Sequence, residues 1–315
     1  MEDAVREVER QVKLGADFIK VYSWLKPEIM KVVIEEAKKY DKEVSADLLY
    51  AYEVDAIDAA NMGIDWLEHA TGIVQAMYPE WKMSSSQDVW TTIPWDAPEE
   101  EKIEAVCQKL LAKNVKLCPT LLLYDQMQKA DTHWQVEDER IAHITDHPTL
   151  FKHWGTMAQE RHGQSTIGIQ TKMIQKIAYT YFKLGGVVVT GTDTPAGIFT
   201  YPGMALHREL QLFVESGFTA LEALQQATIN AAKALHQPLL GQIKEDFIAD
   251  IVILNKNPLL NIEHTIAIQS VIKGGTSYTI DELLSFIPSE EENEHYLREL
   301  LDEFKKHDLE VAYLV

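Results

Sequence analysis

The residues able to do chemistry in this 315-residue chain sit where apolar runs give out. Asp193 lies in GTDTPAG (191–197), directly after Val187, Val188 and Val189, an unbroken β-branched run typical of strands covered on both faces. Lys20 interrupts the apolar segment DFIKVY (17–22), Asp47 closes EVSAD (43–47), and Glu68 and His69 end the apolar part of WLEHA (66–70). An aspartate at the exposed end of a buried strand needs a partner charge. A metal held by carboxylate and imidazole supplies one and also acidifies water. The expectation is that Lys20, Asp47, His69 and Asp193 point into one mouth.

Taken singly, each has a plain structural account. A lysine can run its stem along a strand and surface at a rim. A histidine after a strand is often a satisfied structural residue, and Asp47 could simply cap the next helix. Asp193 is the strongest of the set, because the Gly, Thr and Pro around it build a defined turn, with Gly191 expected to provide the bend. The elements between support a common origin. KLCPTLLL (116–123) is a further apolar run, and amphipathic helical stretches cover 27–40, 51–62 and 99–113. Strand and helix alternating in this way predict βαβ units on a parallel sheet, whose C-terminal strand ends form the working face.

On these residues the chain resembles the amidohydrolase superfamily of metal-dependent hydrolases, especially its imidazolonepropionase-like and Xaa-Pro-dipeptidase-like branch. GADFIKVY (15–22) resembles the fourth-strand motif, which implies a carbamylated Lys20 as a metal ligand. NMGIDWLEHATGI (61–73) resembles the sixth-strand motif, with His69 as ligand. VVVTGTDTPAG (187–197) resembles the eighth, with Asp193 as metal ligand and proton shuttle. Residues 205–237 resemble the helices that follow, while 241–259 and 268–278 resemble closing strands of a small β-sandwich. The resemblance implies a (β/α)8 TIM barrel and hydrolysis of a C–N bond in an amide, cyclic amide or dipeptide by metal-activated water. The implied cofactor is a divalent metal, zinc first, with manganese, magnesium or iron as alternatives.

Two departures qualify this. No His-X-His pair of the family's first strand precedes Lys20, so the resemblance covers only barrel strands 4 to 8. The fifth-strand histidine is replaced by Asp47, whose carboxylate favours harder cations and leaves bound water less acidic. An incomplete barrel exposes strand edges, so something must cover them: a complementing N-terminal segment or a homo-oligomer. The rival expectation is a catalytically impaired relative acting as an association module.

The implied organisation is a barrel portion over 1–240 with a lid insertion at 124–186, sandwich strands over 241–280, and an acidic helical tail over 281–315. In the insertion His143 and His147 share a helix face and could hold a metal, although a solvated lid helix accounts for them better; His133, His153 and His162 lie nearby. Trp134, Trp154 and Met157 either wall a substrate pocket or pack the lid. A formal net charge of -20 argues against nucleic acid as a partner, and a small-molecule substrate is expected. Cys107 and Cys118 make no disulfide framework, and no apolar run is long enough to span a membrane. EDAVREVERQ after Met1 reads as an acidic amphipathic helix rather than a signal peptide, so a cytoplasmic location is expected, with an upstream signal left open.

Overall fold

The computed structural model describes residues 1–128, 139, 152, 154–156 and 167–306. Its main sheet is parallel and four-stranded, in the order β1 (Phe18–Tyr22), β2 (Glu43–Asp47), β3 (Trp66–Glu68) and β4 (Lys116–Cys118). The VVV segment adds to it through a parallel bridge between Val188 and Leu117. The fold is TIM-barrel-like α/β, but the sheet does not close among the described residues, and the second edge of β1 carries no strand.

Helices cover one face of this sheet. Ile19, Val21, Val44, Ala46, Leu67, Leu117 and Val188 point outward, and none is more than 7% exposed. They meet α1 (Glu2–Lys13), α2 (Pro27–Lys39), α6 (Glu100–Leu111) and α8 (Thr171–Lys183), whose buried faces include Val8, Met30, Ile34, Ile103, Leu110 and Ile174. Each large aliphatic side chain buried this way contributes roughly 1.5–3 kcal/mol. Pro27 opens α2 with its φ already set for a helix.

Three expectations need correction. The helix expected over 51–62 spans only α3 (Ala56–Met62), because Asp55 caps its N-terminus in a reciprocal box with Asp58. Residues before it form a loop that mixes buried and exposed side chains, in which buried Leu48 packs so closely on Gly72, in α4 (Thr71–Met77), that a Cβ there would overlap it. KLCPTLLL is not one run of strand: β4 stops at Cys118, Pro119 offers no N–H, and α7 (Leu121–Gln128) begins at once. Glu209, on α9 (Met204–Glu215), makes that possible by accepting from the N–H groups of Leu121 at 3.1 Å and Leu122 at 2.7 Å. Finally, Val187 to Val189 are not covered on both sides, since Val187 is 41% exposed.

Near the C-terminal end, β5 (Ile251–Leu254), β6 (Ile268–Lys273) and β7 (Thr276–Thr279) form an antiparallel sheet. It lies in the stretch read as closing sandwich strands and has three strands among the described residues. A helix spans Glu290–Lys306. No helix among the described residues is long and apolar enough to cross a membrane.

Candidate active site

The opposite face of the sheet carries the candidate residues. In register, Tyr22 lies beside Asp47, Asp47 beside Glu68, and Glu68 beside Cys118. One residue beyond β3, alternation alone would turn His69 to the helix-covered side. Its left-handed φ of 59° breaks that alternation, while its N–H continues the ladder to the Cys118 carbonyl at 2.9 Å. Imidazole Nε2 therefore stands 3.5 Å from Asp47 Oδ2 and 3.7 Å from Asp193 Oδ2. Asp193 also adopts a left-handed φ, 53°, in the turn after the VVV segment. Non-glycine residues held in this region cost on the order of 1–3 kcal/mol each and collect at functional sites. Gly191 serves close packing, for a Cβ there would overlap Cys118 Sγ.

His69 and Asp47 are buried, and Asp193 keeps a 37% exposed side chain facing the opening. Burial pushes the Asp47 carboxyl up, but His69, the Leu49 N–H at 3.0 Å and Lys20 together hold it below its ordinary value. Burial wins at Asp193 and, with the charges of Asp47 and Glu68, raises its carboxyl despite His69 and Lys20. Burial would lower the Lys20 ammonium, yet the carboxylates of Glu68, Asp47 and Asp193 and the Tyr22 hydroxyl raise it. Lys20 makes none of the site's ion pairs; it lies on the open face with Nζ 5.0 Å from the Tyr22 ring centroid.

Among the described residues, no three His, Cys, Asp or Glu side chains form a ready-made metal cage. The spacing at His69 nevertheless suits a cation. The contacts of 3.5 and 3.7 Å exceed hydrogen-bond length, whereas ligands about 2.1 Å from a tetrahedral ion stand about 3.4 Å apart. Nδ1 of His69 is also buried without a partner. One imidazole and two carboxylates form a donor set of the right chemical type, short of a full shell.

The surrounding layer is better satisfied. Ser45 Oγ donates to Glu68 Oε1 at 2.5 Å. Tyr124 on α7 meets the His69 ring edge-on at 6.5 Å, and its hydroxyl lies 2.8 Å from Thr71 Oγ1, which bonds Gln170 at 3.1 Å. At the N-terminal end of the same face, Lys116 reaches both oxygens of Glu43 at 2.5 and 2.7 Å. Trp66 Nε1 donates to Glu43 at 2.6 Å, and His236 Nε2 lies 2.9 Å from it.

The structure thus brings Asp47, His69 and Asp193 together and leaves Lys20 at the rim. Glu68, noted in the sequence but given no role, is the foremost carboxylate acting on Lys20; its period-two alignment with Trp66 in β3 was the available signal. Tyr124 was hidden because 116–123 reads as a single apolar run. Trp154 is buried against Phe199 and Tyr201, with centroids 5.4 and 5.2 Å away, so it packs the core rather than walling a pocket. His133, His143, His147, His153, His162, Trp134 and Met157 lie outside the described residues.

The model of the amidohydrolase family matches residues 23–278. The chain belongs to that family. Amidohydrolases generally use divalent metals, in keeping with the donor types at the strand ends. Among curated relatives, the chain is 25% identical to ochratoxinase of Aspergillus niger over 298 residues, covering 87% of this chain and 49% of the fungal protein. Among solved amidohydrolase-like structures, a Xaa-Pro dipeptidase with bound methionine in its active site superposes with TM-score 0.59 at 19% identity, over 88% of this chain and 58% of that one. Bottromycin amidohydrolase gives 0.62 at 17% identity, over 90% and 60%. These structural likenesses speak to the fold. The chain spans about half the length of the curated relatives it matches.

Proposed function

We propose that this chain carries the catalytic end of a metal-dependent amidohydrolase, which cleaves a C–N bond of an amide, cyclic amide or dipeptide with metal-activated water. The observation that carries the reading is the approach of Asp47 and Asp193 to His69 Nε2 at 3.5 and 3.7 Å, at the C-terminal ends of parallel strands. A divalent ion bound there would polarise the scissile carbonyl and lower the pKa of water. Zinc is the first choice, with manganese, magnesium or iron as alternatives. Asp47 and His69 would hold the ion, and the Ser45–Glu68 bond would steady the strands between them. Asp193, more open and with a raised carboxyl, would take a proton at Oδ2 from the attacking water and return it to the leaving nitrogen. Lys20 would become an anionic ligand on carbamylation. The nearby carboxylates oppose this by keeping its ammonium charged, and a bound cation would offset them.

The test is metal content by mass spectrometry together with hydrolysis of Xaa-Pro dipeptides and N-acyl amino acids. Tight metal and turnover lost in Asp193→Asn and Lys20→Ala support the proposal. Turnover unchanged in both variants overturns it.

A specific observation also favours an association role. The unpaired side of β1 borders a groove lined by Val8, Leu25, Ile29 and Val33, and the inner sheet face leaves Val187 41% exposed. A second copy or a complementing N-terminal segment would cover these parts. Sedimentation of the purified chain separates the cases: a monomer that turns over needs no such partner.

A further inference from the structure

The C-terminal end of β1 and the loops after β1 and β2 expose large aromatic rings. Trp24 is 71% exposed, Tyr52 59%, Tyr22 45% and Tyr50 41%. Among the described residues, the other exposed aromatic side chains, Tyr40, Phe286 and Tyr296, lie outside the mouth loops. Tyr22 and Trp24 are stacked, with centroids 5.5 Å apart and planes 15° from parallel. Lys20 Nζ sits over the Tyr22 ring at 5.0 Å, so Tyr22 is engaged by Lys20 and Trp24 together. The open part of the stack is Trp24. Tyr22 is also the in-register neighbour of Asp47, which ties the stack to the cluster. A tryptophan mostly in water forgoes the burial that its area would otherwise gain, and a second flat ring laid on it recovers that burial with little ordering cost.

We propose that Tyr22 and Trp24 form a platform that binds a planar aromatic group of the substrate at the mouth of the site. The proposal deepens the hydrolase reading and rests on it for the word substrate, selecting aryl-bearing amides over aliphatic ones. Stacking on Trp24 holds the aromatic group at the rim and leaves the amide to reach toward Asp193.

The experiment is calorimetric titration of the full chain with N-acetyl-phenylalanine amide and N-acetyl-leucine amide, repeated in Asp193→Asn and alongside a turnover assay. The phenyl compound is expected to bind about tenfold more tightly than the leucine compound. Trp24→Ala should abolish that ratio and Trp24→Phe should retain most of it. Equal affinities in the unmodified chain, binding of neither probe, a ratio that survives Trp24→Ala, or one lost in Trp24→Phe each overturns the platform. So does quenching of the effect by self-association at working concentration, which would make the rim an interface between copies. A preserved ratio without turnover in any form leaves the platform standing and removes the hydrolase reading; turnover without a ratio does the reverse.

Discussion

The two ends of the inner sheet face are built from the same strands and have been resolved in opposite ways. At the N-terminal end, Glu43 is satisfied by Lys116, Trp66 and His236 through contacts of 2.5 to 2.9 Å, and Lys116 also covers the Trp66 ring at 4.8 Å. At the C-terminal end, Asp47, Glu68 and Asp193 face one lysine and one imidazole. The contacts there lengthen to 3.5 and 3.7 Å, Nδ1 of His69 has no partner, and two residues hold left-handed backbones. Closed, mutually neutralised contacts define one geometry and stabilise it. Surplus negative charge at unsatisfied spacing instead leaves a place for something positive to arrive. The lower end therefore has the character of a structural contact, and the upper end is the one we propose as functional, the end where barrel chemistry sits.

Substitutions can break that contrast. The largest effect should come from Asp193→Asn, which is expected to lower the hydrolysis rate by about 10²–10⁴-fold while thermal unfolding stays near that of the parent. A comparable loss of stability instead would make Asp193 a structural residue. Next, zinc at a hundred times its dissociation constant should stabilise the parent by about 2.7 kcal/mol in a denaturant titration. Asp47→Ala should lose that increment, and Lys116→Met should keep it; equal responses would erase the distinction between the two ends. Lys116→Met itself should destabilise by roughly 1.5–3 kcal/mol, because it leaves Glu43 without its charged donor.

A separate, pH-dependent effect concerns Glu209, whose carboxyl group starts α7 after β4. Burial lifts its carboxyl from the ordinary 4.5 to about 8, against the opposing Leu121 and Leu122 N–H groups. The folded state therefore holds a proton that the unfolded chain has released between those values. The associated stability is fully present below about pH 4.5 and is lost as pH rises through about 8. Urea midpoints of the parent should fall between pH 5.5 and 8.5, and Glu209→Gln should flatten that slope. An unchanged slope would show that another group sets it.

Much of the fold was legible because period-two strands and amphipathic helices alternate along the chain. FIKVY, EVSAD and WLE are strands at the positions read from their apolar character, and 27–39 and 100–111 are helices. The failures have local causes. Residues 51–55 carry helix-compatible side chains, but Asp55 is the cap and fixes the start after it. The apolar run through Leu123 hid a change from strand to helix, since a short apolar run fits both. Strand-end positions revealed Asp47, His69 and Asp193. For Lys20 the sequence left open a stem that surfaces at a rim, and the structure places its Nζ over the Tyr22 ring.

The sequence by itself determined which residue types reach the strand ends and which face of each strand is apolar, because both follow from alternation along a single chain segment. Tertiary structure alone decided how far those side chains converge. The turn of His69 toward Asp47 depends on a left-handed backbone held by the Cys118 carbonyl of the next strand. The start of α7, and so the place of Tyr124 against His69, depends on Glu209, 88 residues further along the chain. Neither contact has a local signature, since each joins groups whose separation is set by the packing of the whole sheet.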